Sequence, residues 1–241
     1  MAVPWEVLSV PGLVNAASQL AQEHELAVER ALTDGPPLAI VWRSEPALIV
    51  TQSERHLPQF EQAARLASEE GWPVCVRSTG GSAVALTPGV VNLGLILPWC
   101  ESRPTLEAGF ALICDPVIRA LERFDVAAGT GSAPGSFCDG RYNVLVGARK
   151  IAGTSQRHFT RSKRGSLLLH ATVIVDADPG ELTDAVAKFY ARAGGQRDLD
   201  AASVTSLARC LGGSASAELP QAFAEILSDV LSVSRPQAAS A

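Results

Sequence analysis

Between residues 15 and 37 apolar positions recur at helical spacing. Leu20, His24, Ala27, Val28, Ala31 and Leu32 fall on one face, and Gly35-Pro36-Pro37 ends the run. The next fifteen residues, "LAIVWRSEPALIVTQ" (38–52), predict two short strands around a Ser-Glu-Pro turn. A second helix is expected over 57–72, stopping at Gly71. Strand, glycine turn, strand, Pro-Gly turn and strand follow over 73–98. A third helix covers 105–125, interrupted or kinked near Pro116. Residues 126–142 show no period and read as a loop. Beyond them "YNVLVGARKIAGTSQRHF" predicts two strands about a tight turn at Gly147-Ala148, and 166–176 a third. "GELTDAVAKFYARAG" and "LPQAFAEILSDVLSVS" predict late helices joined by a Gly/Ser/Ala linker, with a frayed tail from Arg235. Helices and hairpins come in blocks without βαβ alternation. The expected class is α+β, a mostly antiparallel sheet flanked by helices.

The chain has 241 residues, 47% hydrophobic and 19% charged, enough for a sizeable core in one large domain or two small ones. Its 20 basic and 25 acidic residues give a net charge of −5, which argues against a nucleic-acid binder. The basic residues are clustered, however: Arg141, Arg149, Lys150, Arg157, His158, Arg161, Lys163 and Arg164 form a local anion-attracting segment. Five cysteines, odd in number and without C-x-x-C spacing, argue against a disulfide framework and against a metal site. No signal peptide or membrane-length apolar run is present, so the expectation is a cytoplasmic protein without a membrane partner.

Two segments are candidates for chemistry. In "RSTGGSAVALTPGVVNLGLILP", Gly80 and Gly81 remove Cβ where backbone must approach another group or adopt positive φ. Thr79, Ser82 and the amides there could bind an oxyanion, although on pattern alone a hairpin turn is the commoner explanation of paired glycines. The second segment is the hairpin around Lys150 with its basic stretch. On pattern alone Lys150 is a turn lysine.

Taken together and in this order, these segments resemble the catalytic domain of the lipoate–protein ligase and octanoyltransferase superfamily, related to biotin–protein ligases. "ELAVERAL" and "VWRSEPALIVTQSER" are similar to the family's opening helix and strand pair. "RSTGGSAV" resembles its Arg-Arg-x-x-Gly-Gly-Gly-x-Val loop, and "GRYNVLVGARKIAGTSQR" its Gly-x-Lys-Ile-x-Gly-Ser hairpin. "LLLHATVIVD" and "VTSL" (204–207) are similar to two downstream signatures. The resemblance implies one catalytic domain over 1–241, with no room for the accessory C-terminal domain of longer ligases. Lys150 would face the acyl carboxylate or carbonyl oxygen, where a fixed cation stabilises developing charge. Arg77, Thr79, Gly80, Gly81, Ser82, Asn92, Gly153, Thr154 and His170 would bind substrate, with His170 orienting a neighbour. Arg141, Asn143 and Arg157 would contact acceptor or nucleotide, and the basic 157–164 loop would cover an adenylate. Apolar residues of "VVNLGLIL" would wall a tunnel for an eight-carbon chain.

Several positions depart from the ligase pattern. Ser78 stands for the second arginine, Ser82 for the third glycine, Ala85-Leu86 for a His-Asp pair, and Ala171-Thr172 for Gly-Thr after the strand histidine. Cys138, twelve residues before Lys150, lies where some transferases of the superfamily carry a nucleophile, although the spacing is shorter. The ligase-like "CDGRYN" tips the expectation to ATP-dependent ligation of lipoate or octanoate, with ATP and Mg²⁺. The alternatives are thioester transfer through Cys138, or a non-catalytic acyl-binding relative. Expected partners are an apo-lipoyl domain or a glycine-cleavage H-type acceptor protein, with acyl carrier protein as a further donor.

Overall fold

The computed structural model describes residues 3–33, 35–213 and 216–236. Ten strands and six helices follow in chain order: β1 Glu6–Val14, α1 Ala16–Arg30, β2 Leu38–Ser44, β3 Ala47–Thr51, α2 Phe60–Glu69, β4 Val74–Arg77, β5 Val84–Leu86, β6 Val90–Cys100, α3 Leu106–Glu122, β7 Gly129–Gly131, β8 Asn143–Val146, β9 Arg149–Arg161, β10 Arg164–Ile174, α4 Pro179–Ala193, α5 Leu207–Cys210 and α6 Leu219–Ser232. Seven strands form a large sheet in the order β1-β2-β6-β10-β9-β8-β7, and β4-β3-β5 form a small one. Pairing is antiparallel except for β1 with β2 and β3 with β4. The architecture is α+β, as the blocks of elements predicted.

The central strands are apolar on both faces because both are covered. On β10, Leu167, Leu169, Ala171 and Val173 pack with Ile113, Val117 and Leu121 of α3 and Phe223 and Leu227 of α6. Leu168 and Ile174 turn to the opposite face, with Leu20 and Ala27 of α1 and Leu48, Val84 and Leu86 of the small sheet. The period-2 alternation sends Ser166, His170 and Thr172 to that second face too. That face, covered by α1 and the small sheet, therefore receives the buried Ser166 and His170 and the partly buried Thr172.

Four expectations need correction. The strands of 38–52 do not pair with each other, since β2 joins the large sheet and β3 the small one. β1 was not foreseen: its side chains are mostly exposed and its register shifts between Ser9 and Leu13, so it shows no alternation. Helix α3 runs through Pro116 without a break. The basic 157–164 segment is the end of the β9–β10 hairpin, turning at Ser162 (φ 58°), and not a loop. Within 126–142, only β7 is regular. Most of the tail read as frayed, 237–241, lies outside the described residues.

Candidate active site

Lys150 stands near the start of β9, where β8 and β9 turn at Gly147 (φ 60°). Its backbone is clamped from the far side: Lys150 bridges Val204, and the Thr205 amide donates to the Lys150 carbonyl at 2.8 Å. The side chain is 1% exposed, so it is no turn lysine. Gly153 makes room for it, since a Cβ there would lie 3.0 Å from both Cε and Nζ. Nζ donates to the carbonyls of Phe137 (2.6 Å) and Cys138 (2.8 Å).

Those carbonyls belong to the loop that presents Cys138. The loop is folded around Asp139, whose Oδ1 accepts from the amides of Ala133 and Gly140 and from Asn143 Nδ2, each at 2.8 Å. Asn143 is thus a brace of this loop. Cys138 itself has φ 50°, a left-handed conformation uncommon for a residue with a Cβ. Such strain persists where the surroundings over-determine it, and it clusters at functional positions.

The glycine loop of 78–82 meets the sulfur from the other side. The Ser82 amide donates to Cys138 Sγ at 3.2 Å, and Arg77 Nη2 lies 3.6 Å from it while donating to Ser82 O at 3.0 Å. Gly81 has φ 109°, and a Cβ there would fall 2.7 Å from both Sγ and Arg77 Nη2. Glycine is therefore required twice over, for the backbone and for the contact. Arg77 is buried, and its Nε has no partner.

The electrostatics follow from that geometry. Burial alone would push the Cys138 thiol up. Arg77, Lys150 and the Ser82 amide outweigh it and bring the thiol down to about 7. Burial, reinforced by Arg77, depresses the Lys150 ammonium to about 8 against the opposing pull of Cys138 and Asp139. Near neutral pH the thiol is thus partly ionised beside an ammonium whose proton is loosened, a pairing suited to nucleophilic attack with proton exchange.

Two cavities meet at Cys138. One is closed, about 10 Å³, and lined by Arg77, Val84, Ala85, Phe137, Lys150, Gly153, Thr154, Ser155, His170, Thr172 and Ile174 as well as Cys138. The other is an open cleft of about 510 Å³ between Gly81–Ser82, the 135–139 loop, Tyr190 and residues 196–199. No residue of "VVNLGLIL", the expected tunnel wall, lines either cavity at Cys138. Val91, Leu93 and Leu95 point at α3, and the apolar wall of the closed cavity comes from β5, Phe137 and Ile174.

Other predicted residues are placed as follows. Thr79 is buried against His170 and Ser155, whereas Gly80 faces open space. Asn92 accepts from Thr172 Oγ1 at 3.1 Å and lines neither cavity. Thr154 donates to Tyr142 O at 2.7 Å. Arg157 donates to Ser78 O at 2.8 Å, bracing the glycine loop from outside. Arg141 lies over the Tyr142 ring and lines neither cavity. Sequence reasoning missed Glu23, Ser155, Glu54 and Tyr190. The Ala83 amide donates to Glu54 Oε1, and Tyr190 OH bonds both Glu54 and Ala83. Glu23 left a readable signal, an acid between Leu20 and Ala27 on the apolar stripe of α1.

Comparison with known proteins places this geometry. The model of the lipoyl protein ligase A/B catalytic domain matches residues 15–229. An octanoyl-GcvH:protein N-octanoyltransferase of Kyrpidia tusciae is 32% identical over 238 residues, covering 94% of this chain and 79% of that protein. A lipoate-protein ligase A structure bound with ATP superposes with TM-score 0.67 at 19% identity, covering 96% of this chain and 86% of that one. A bi-partite lipoate protein ligase, studied with its E2 lipoyl domain from Thermoplasma acidophilum, gives TM-score 0.61 at 18% identity over 96% and 84%. The last two are alike in fold.

Proposed function

Because the chain belongs to the lipoyl protein ligase A/B catalytic-domain family, we propose that it attaches an octanoyl or lipoyl group to a lysine of a lipoyl-domain acceptor, passing the group through a thioester on Cys138. One observation carries the reading: the Cys138 sulfur sits where a closed, partly apolar cavity meets an open cleft, held by the Ser82 amide and Arg77 beside Lys150. At about 10 Å³ the closed side holds no more than a water, so the acyl chain would enter by parting Val84, Ala85, Phe137 and Ile174, while the open side suits the arriving lysine. The donor would be an acylated carrier protein of the kind named for the Kyrpidia relative.

In the first half-reaction the thiolate attacks the acyl carbonyl carbon and the S–C bond forms. The Ser82 amide and Arg77, already beside the sulfur, would turn to the oxygen on which charge develops. The C–N bond of the donor's acyl-lysine breaks, and the departing amine takes the proton carried by Lys150. In the second half the acceptor's neutral amine attacks the thioester, the electron pair returns to sulfur, and Lys150 recovers a proton. An amine donating its two N–H groups to the Phe137 and Cys138 carbonyls keeps its lone pair for that step.

The adenylate route is the second reading, supported by the cleft beside Gly81 and Ser82, whose size suits a nucleotide. ATP with Mg²⁺ would there supply an adenylate as leaving group. The residues fit it less well: the Ser82 amide and Arg77, expected on the phosphate side, are turned to the thiol, and Asp139 is occupied by three donors. The test is intact mass of the protein with apo-lipoyl domain, given either an octanoylated carrier protein or octanoate plus ATP. Transfer from the carrier alone, a hydroxylamine-labile octanoyl adduct on Cys138 and loss of both in Cys138→Ser are expected. An active Cys138→Ser protein that cleaves ATP to AMP would overturn the thioester reading.

A further inference from the structure

Glu23 has no role in the chemistry above, yet its carboxylate is 0% exposed between α1 and the large sheet. A buried carboxylate is costly, and an apolar side chain there would cost less. The fold nevertheless makes a place for it. Trp42 Nε1 donates to Oε1 at 2.8 Å, and His170 Nε2 lies 2.8 Å from Oε2. On β6, Gly94 leaves the space: a Cβ there would lie 2.3 Å from Oε1. His170 approaches this acid with Nε2 at hydrogen-bond distance but without hydrogen-bond alignment, and meets Thr79 Oγ1 with the other nitrogen, Nδ1, at 3.2 Å. Ser155 Oγ donates to the same Thr79 oxygen at 3.0 Å. Ser155 of β9 and His170 of β10 thus meet on one threonine hydroxyl, with Glu23 of α1 behind the histidine.

Thr79 belongs to the irregular loop between β4 and β5, where the backbone has no ladder to hold it. The Ala83 amide is anchored at one end by Glu54 and Tyr190. From the other end Arg157 holds the Ser78 carbonyl at the surface, and Thr79 alone is gripped from within. Between these anchors lie Gly80, in open space, and Gly81 at φ 109°, the two most pliable positions of the chain segment. The Ser82 amide that touches the sulfur comes immediately after them.

We propose that Glu23 and His170, acting through Thr79, hold the glycine loop in the position that presents the Ser82 amide and Arg77 to the Cys138 sulfur. They are positioning residues, remote from the reacting atoms. The charged groups facing the sulfur are Arg77 from β4 and Lys150 from β9, with Asp139 beside it, while Glu23 faces His170. Loosening the Thr79 anchor withdraws the amide and guanidinium but leaves Lys150 in place, so thiol acidity reports the loop directly.

The experiment is the pH dependence of iodoacetamide labelling at Cys138, read by peptide mass spectrometry in the full chain, with circular dichroism as the folding check. It needs no acyl substrate, so its outcome is independent of which donor the enzyme uses. Thr79→Val, nearly isosteric, and His170→Ala should move the labelling midpoint up from about 7 and slow labelling at pH 7 by about three- to tenfold. Thr79→Ser should restore the wild-type profile. Glu23→Gln should shift it in the same direction as His170→Ala. Folded Thr79→Val with a wild-type midpoint would overturn the proposal, and a wild-type midpoint in folded Glu23→Gln would overturn the part assigned to Glu23.

Discussion

Substituting Gly81 by alanine perturbs the site by a single methyl group with two separable effects. Backbone strain is the first: φ 109° is a conformation that L residues avoid, costing about 1–3 kcal/mol. For a chain of this size each kcal/mol lowers Tm by about 2–4 °C. The second is displacement, because the new Cβ would stand 2.7 Å from Cys138 Sγ and 2.7 Å from Arg77 Nη2. The guanidinium is the end of a flexible side chain and can retreat. The sulfur cannot retreat as easily, since its loop is fixed by Lys150 at two carbonyls and by Asp139 at three donors. The loop amide and Arg77 must therefore withdraw, and the thiolate loses its nearest donors. Loss of one preorganised donor of this kind costs about 10²–10³ in rate. Stopped-flow acylation of Cys138 by an octanoylated carrier should accordingly slow by about 10²-fold, with Tm lowered by only a few degrees. Wild-type acylation in a Gly81→Ala protein that shows the Tm loss would mean the glycine serves the turn alone, and the loop plays no part at the sulfur.

Other outcomes follow from the same contacts. Lys150→Met should reduce turnover by about 10²–10³-fold while circular dichroism stays native, and leaving the Phe137 and Cys138 carbonyls unpaired should cost about 1–3 kcal/mol each in denaturant unfolding. Near wild-type turnover would remove Lys150 from the mechanism. Self-acylation should rise with pH through about 7, as the thiol ionises, and fall above about 8, as Lys150 loses the proton the leaving amine needs; the two limbs belong to the coupled pair. A rate that keeps rising past pH 9 would contradict an acid role for Lys150. Gly94→Ala should destabilise the fold by about 1–3 kcal/mol, because its Cβ meets a Glu23 carboxylate already enclosed by Trp42 and His170; unchanged unfolding would show that Glu23 is free to move.

What could be read from the sequence divides along a physical line. The Lys150 hairpin and the glycine loop are contiguous, so their turn residues mark them directly: Gly147 and Gly81 both have positive φ. Partner choice among apolar strands is not contiguous. "LAIVW" and "ALIVT" look alike, and nothing in either says that one joins the large sheet and the other the small. The tunnel wall expected in "VVNLGLIL" lines neither cavity at Cys138 for a related reason: a strand covered on both faces has no polar face to give away its direction, and alternation sends Val91, Leu93 and Leu95 to the helices. Cys138 shows the deepest limit. Its spacing to Lys150 was visible, and a cation beside it was expected to acidify the thiol, but Arg141 was expected there and Arg77 was not, because Arg77 lies 61 residues away and reaches the sulfur only once β4 and the 135–139 loop are packed together. Arg77 makes no salt bridge among the described residues, and Lys150 spends its protons on carbonyls, so the nearest group able to carry compensating charge is the thiol itself. The fold thus carries two buried cations beside Cys138, and the ionised thiol offsets part of their cost, with Asp139 offsetting a further part for Lys150. That arrangement favours the thiolate in the folded state, and it disfavours the neutral thioester, which leaves Arg77 uncompensated once Lys150 has given its proton to the departing amine, until the acceptor attacks and the sulfur regains its charge.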